Sequence, residues 1–180
     1  METVWYFRLF FVHILAFAMS FLLYGIVRAR RMSGPGAGKP WIVAYFASLI
    51  VGWVLMWFVT FSINPAFWIG LAIIVFGEIV YVLGYIAMRE HPEKKQAVVD
   101  WGIYKVSRNS HVLAGVICLL GVVVMGWNPN SIIYIALWVY FVLYVIMSHF
   151  SVLNEEKLNI DRFGREYKDY IKRVPRYFTK

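Results

Sequence analysis

The chain has 180 residues, enough for one domain and short for two. Its hydrophobic fraction is 61% and its mean hydropathy +0.64, while charged residues make up only 16%. Ordinary soluble domains carry roughly 25% charged residues, and a chain this small has too little interior to hide so much apolar material. That arithmetic excludes an ordinary soluble globular domain.

Eighteen Lys+Arg against ten Asp+Glu give a formal net charge of +8. In a soluble chain such an excess points to nucleic acid. Here the charges gather in three polar stretches between apolar runs, the pattern of cytoplasmic loops that flank membrane spans, and no nucleic-acid partner is expected. Cys118 is the single cysteine, so no internal disulfide and no thiolate metal site is available, and no metal is expected.

The first apolar run covers 4–27, interrupted by Arg8 and His13. It is too long for a signal-peptide core and reads as a retained helix, with Arg8 snorkelling to the headgroups. Residues 28–40 are a basic linker around Gly34-Pro35-Gly36-Ala37-Gly38; Lys39 is followed by Pro40, which breaks the phosphate-loop pattern. The run 41–61 holds no charged side chain and is long enough to span the roughly 30 Å hydrocarbon core. Ser62-Ile63-Asn64-Pro65 turns the chain, and 66–88 forms a third run whose one charge is Glu78.

A second polar stretch, 89–108, suits an interfacial segment carrying Trp101 and Tyr104. The run 109–125 is short for a span, Gly126-Trp127-Asn128-Pro129-Asn130 is a turn, and 131–153 is full length; together they predict a helical hairpin. The tail, 154–180, places Phe163, Tyr167, Tyr170, Ile171, Val174 and Phe178 at helical spacing, which predicts an amphipathic cytosolic helix. Trp5, Trp41, Trp68, Trp101 and Trp127 fall near run ends as interfacial anchors, whereas Trp53, Trp57 and Trp138 are more interior.

The fold class expected is therefore all-α: a single polytopic membrane bundle of five transmembrane helices over 4–27, 41–61, 66–88, 109–125 and 131–153, or of four without the first. The stretches 28–40, 89–108 and the tail hold seventeen of the eighteen basic residues and the turns at 62–65 and 126–130 hold none. The positive-inside rule then puts the amino terminus outside and the carboxyl terminus in the cytoplasm.

Four polar groups stand out against this background. Glu155-Glu156 follows a long apolar helix directly, and two acids at a helix carboxyl end oppose the dipole, which favours a binding role over plain solvation. Glu78 sits mid-run, where it either bridges helices or serves a substrate. Arg108, Asn109, Ser110 and His111 crowd the start of the fourth run, where they either cap it or bind an anion together with the free N–H groups of the helix start. His13, His111 and His149 lack the spacing of a metal site.

The carboxyl-terminal half resembles the isoprenylcysteine carboxyl methyltransferase and phospholipid methyltransferase families of integral-membrane enzymes. In Gly102-Ile103-Tyr104-Lys105-Val106-Ser107-Arg108-Asn109-Ser110-His111-Val112, residues Gly102, Tyr104, Arg108 and Asn109 fit the families' central pattern. Ser110 departs from its Pro and Val112 from its Tyr. Glu155-Glu156-Lys157-Leu158, Phe163-Gly164-Arg165-Glu166-Tyr167, Tyr170 and Val174-Pro175-Arg176 resemble the families' tail, and a hairpin separates the two blocks.

The resemblance implies S-adenosylmethionine as cofactor, in a cytosol-facing pocket bounded by Gly102, Tyr104, Arg108, Asn109, His111, Glu155 and Glu156. Within it Arg108 is the candidate for the cofactor carboxylate, and Glu155 and Glu156 for its ammonium or ribose hydroxyls. The acceptor implied is a membrane lipid or other amphipathic molecule. An amine acceptor needs a proton acceptor, for which Glu78 or Glu156 is the candidate; a carboxylate acceptor needs orientation by Arg173 or Arg176. The competing expectations are a noncatalytic lipid- or cofactor-binding protein of the same fold and a small transporter subunit, the latter favoured only by Glu78.

Overall fold

The computed structural model describes residues 61–90 and 97–178, with scattered positions between 47 and 59. Every element among the described residues is helical: α1 (Pro65–Arg89), a 3-10 turn (Gly102–Lys105), α2 (Ser110–Met125), α3 (Ile132–Phe163) and α4 (Arg165–Arg173).

Helix α1 begins where the turn residues require it. The Asn64 side chain accepts the Phe67 N–H at 3.0 Å, and Pro65 in the first turn has no N–H to leave unsatisfied. At the other end the Trp101 indole N–H donates to the Ala87 carbonyl at 2.8 Å, which ties the following loop to the last turn of the helix. The loop continues through Gly102 at φ +55°, where a Cβ would also meet the Ala87 Cβ at 2.9 Å.

Helices α1 and α2 run antiparallel and pack backbone to backbone. A Cβ on Gly70 would lie 2.5 Å from both the Gly121 carbonyl oxygen and the Met125 nitrogen, and one on Gly77 would lie 2.5 Å from Cys118 Sγ. Small residues thus let the two backbones approach closely, the usual device where apolar helices meet without water to drive them together. Helix α3 starts after the 126–130 turn with Ser131 Oγ accepting the Tyr134 N–H at 3.4 Å.

Two buried clusters lie at opposite ends of the helices. At one end Phe61, Ile74, Val122, Met125, Tyr134 and Leu137 pack together. At the other, Tyr81, Ala87, Met88, Val99, Tyr104, Ala114, Tyr167 and Tyr170 form the floor of the polar site. The outward faces are apolar too: Trp68, Phe76, Ile79, Leu83 and Ile86 on α1, and Val139, Leu143, Ile146 and Phe150 on α3 are all exposed. A helix apolar inside and out is suited to hydrocarbon rather than water.

The expectation of five transmembrane helices is corrected. Among the described residues two helices, α1 with 25 residues and α3 with 32, are long and apolar enough to cross a membrane. Helix α2 has 16 residues, a length of about 24 Å that falls short of the roughly 30 Å hydrocarbon core. The expected span 4–27 lies outside the described residues, and 41–61 is described mostly at separated positions.

A second correction concerns the end of the last run. The apolar stretch stops near 153, but the helix does not: α3 continues to Phe163 and stops only at Gly164, whose φ of +56° no other residue adopts easily. Nothing between 154 and 163 breaks a helix, so the hydrogen-bond ladder runs on past the last lipid-facing residue. The tail's amphipathic helix is accordingly the short α4, which buries Tyr167 and Tyr170.

Candidate functional site

The site forms where three things meet: the start of α2, the polar end of α3, and the segment 174–177 that leaves α4 and straps across both. The strap is fixed by backbone groups. The Arg108 N–H donates to the Pro175 carbonyl at 3.1 Å, and Ser107 Oγ and Asn109 Nδ2 donate to the Arg176 carbonyl at 3.2 and 3.3 Å. Arg108 Nη1 also donates to the carbonyls of Ile171, at 2.9 Å, and Val174, so its positive charge caps the carboxyl end of α4.

At the centre is Glu156. Its Oε1 accepts from Arg108 Nη2 at 2.9 Å, from Arg176 Nε at 3.0 Å and from Asn109 Nδ2 at 3.5 Å, while Oε2 accepts from Arg176 Nη2 at 2.8 Å. The Glu156 and Arg108 side chains are 8% and 5% exposed, and Arg176, at 36%, closes the cluster toward solvent. Such charge-assisted, partly bidentate contacts are the strong kind, and they require both cations to stay close to the carboxylate. The hydrogen bond to Glu156 raises the Arg176 pKa above its ordinary value, whereas burial raises that of the neighbouring Tyr177 phenol.

The structure joins some of the sequence candidates and separates others. Arg108, Asn109 and Glu156 meet directly. Tyr104 lies beneath them, fully buried, with its carbonyl accepting the Tyr170 hydroxyl at 2.7 Å. His111 is buried on the first turn of α2, and Gly102 shapes the loop that brings Tyr104 in. Glu155, half-buried, stands next to Glu156 but is turned about 100° from it on the helix. Glu78 is remote, on α1 beside Cys118 and about two turns of α2 from the helix start. Arg173 is exposed and pairs with Asp100 at 3.2 Å.

Both terminal nitrogens of Arg108 bond to protein partners, and both oxygens of Glu156 accept guanidinium donors. Asn109 occupies the cap position of α2 without capping it, its side chain serving Glu156 and the strap instead. On the same two helices, at α2's start and one turn past Glu156 on α3, other groups are unsatisfied: Ser110 Oγ, both amide atoms of Asn159 and Arg108 Nε are buried and make no hydrogen bond among the described residues. Asn159 lies one turn beyond Glu156 on the buried face of α3 and is fully enclosed. Sequence reasoning passed over it; its one signal is a polar residue three positions after Glu156 on the same helical face.

A buried amide and a buried hydroxyl without protein partners are costly, at roughly 1–3 kcal/mol each, and call for a water or another polar group to complete their hydrogen bonding. With the first N–H groups of α2 adjacent, the site is chemically equipped for a small polar or zwitterionic group at the edge of an apolar bundle. Among the described residues no cluster of His, Cys, Asp and Glu is suited to a metal. Comparisons with protein-family models, curated proteins and solved structures find no match for the chain.

Proposed function

We propose that the chain is a membrane methyltransferase that uses S-adenosylmethionine to methylate a lipid or other amphipathic acceptor at the cytoplasmic face of the bilayer. The observation that carries this reading is the direct contact of two separated sequence blocks. Arg108 and Asn109 from one meet Glu156 and Arg176 from the other, and the adjoining Ser110 and Asn159 carry buried polar groups without protein partners. The basic residues of 97–108 and the tail lie at this same end of the helices, which supports a cytoplasmic orientation.

S-adenosylmethionine supplies an electrophilic methyl group on a sulfonium. Ser110 Oγ, the Asn159 amide, Arg108 Nε and the start of α2 are the groups that fit its polar methionine end, and Tyr104 bounds the floor. The Arg108–Glu156–Arg176 cluster acts on this site by holding the strap, α2 and α3 in register. Positioning and exclusion of water supply much of the rate, and no covalent nucleophile is required of the protein. The exposed apolar faces of α1 and α3 deliver the acceptor from the membrane.

The test is purified protein in nanodiscs made with a total membrane lipid extract and supplied with methyl-labelled S-adenosylmethionine, the products being identified by mass. A labelled lipid is expected, with binding weakened about tenfold or more in Ser110→Ala and in Asn159→Leu, since each loses a hydrogen bond worth on the order of 1.5 kcal/mol. Saturable binding without a product would favour a cofactor-binding protein instead, and absence of both would refute the reading.

A further inference from the structure

An amine acceptor must lose a proton before it can take a methyl group. Both carboxylates considered for that task are badly placed: Glu156 is held between two guanidiniums, and Glu78 lies about two helical turns away, beside Cys118. A different titratable group stands at the right level. His149 lies seven residues before Glu156, on the same face of α3 and about 10 Å nearer the membrane interior. Its Nδ1 is 3.0 Å from the Tyr177 hydroxyl, with the two rings 6.1 Å apart and tilted by 42°. Tyr177 is the last residue of the strap that closes the polar site.

His149 is half-buried, and its neighbours in sequence, Met147 and Phe150, are exposed apolar residues. The imidazole thus sits on the border between the lipid-facing surface of α3 and the polar cluster, the level a headgroup reaches from the bilayer. His111, the other imidazole at this end of the helices, is 9% exposed and enclosed by the first turn of α2.

We infer that His149 is the catalytic proton acceptor for an acceptor amine, and that Tyr177 is the positioning residue that holds its ring by accepting from Nδ1–H. The inference rests on the methyl-transfer reading. With Nδ1–H donating to the Tyr177 oxygen, Nε2 keeps its lone pair and faces no competing protein donor in the described contacts. The step balances simply: the acceptor ammonium gives one proton to Nε2, leaving a neutral amine with a free lone pair and an imidazolium that returns its proton to interfacial water. Tyr177 faces the ring directly, and Arg176 and Glu156 are the charges that act on Tyr177.

Two measurements on the full chain in lipid-extract nanodiscs test this. Nitrogen-15 NMR of labelled histidine, with no cofactor added, is expected to show the Nδ1–H tautomer for His149, and a mixture of tautomers in Tyr177→Phe. In the methyl-transfer assay, His149→Gln is expected to lower kcat about 100-fold or more, the usual worth of a general base, with KM for S-adenosylmethionine within twofold. Its residual rate should climb tenfold per pH unit as free amine forms, and imidazole should restore His149→Gly. An Nε2–H tautomer in the parent protein overturns the inference, as does a His149→Gln enzyme with unchanged rate and pH profile. A loss of rate that neither pH nor imidazole restores also overturns it, by marking His149 as structural. A parent protein that binds and methylates nothing overturns the methyl-transfer reading, and this inference falls with it.

Discussion

Replacing Glu156 with alanine removes the acceptor of four hydrogen bonds from three side chains. The cost falls mainly on Arg108. Its side chain is only 5% exposed, so its charge cannot return to water, although the Ile171 and Val174 carbonyls still accept from Nη1. Arg176 is over a third exposed and regains most of its hydration, so its share is small. Breaking a buried pair by removing one partner costs about 3–5 kcal/mol, and the remaining carbonyl contacts favour the lower end.

For a chain of this size about 3 kcal/mol corresponds to a fall in Tm of roughly 6–12 °C, readable by thermal denaturation in detergent. The informative companion is Arg108→Met combined with Glu156→Leu, which removes both charges and fills the space. It is expected to recover part of the loss, because the stranded guanidinium is gone while the Ile171 and Val174 carbonyls lose their Nη1 donor. A Glu156→Ala shift below about 2 °C would refute the reasoning.

Three further outcomes follow from the packing. Gly70→Ala puts a methyl group against the backbone of Gly121 and Met125 and is expected to cost about 1–3 kcal/mol by forcing α1 and α2 apart, measured as a drop in Tm. Gly164→Ala meets no atom within 4 Å, so its cost, of similar size, comes from the backbone conformation alone, φ +56° with ψ −121°; Gly164→Asn should then cost about as much as Gly164→Ala, while Gly70→Asn should be worse than Gly70→Ala. Tyr170→Phe strips the buried Tyr104 carbonyl of its donor and is expected to lower stability by about 1–3 kcal/mol, checked by the same melt.

The helices were legible where the sequence carries punctuation. Asn64-Pro65 marks the start of α1 and the 126–130 turn separates α2 from α3, so the expected 66–88 run differs from the observed helix by one residue at each end. The end of α3 was misread because hydropathy reports lipid contact, whereas a helix ends where backbone bonding fails. Glu155-Glu156 is therefore interior to a helix, and the argument that two acids oppose a helix end loses its premise. Arg108, Asn109, Glu156 and Arg176 were each visible in the sequence, whereas Asn159 was not. Their pairing was not, because no spacing rule says which of five tail carboxylates a guanidinium about 50 residues upstream will choose. Among the described residues, the expected span 109–125 is a 16-residue helix, too short for a full crossing.

The central claim is that two distant sequence blocks build one cofactor site at the membrane surface. Equilibrium binding of S-adenosylmethionine to the nanodisc-embedded chain, compared among the parent, Ser110→Ala and Asn159→Leu proteins at matched Tm, tests it most directly. The account predicts saturable binding in the parent and at least about tenfold weaker binding in each variant. Equal affinity in all three, or no binding by a folded parent, would contradict it.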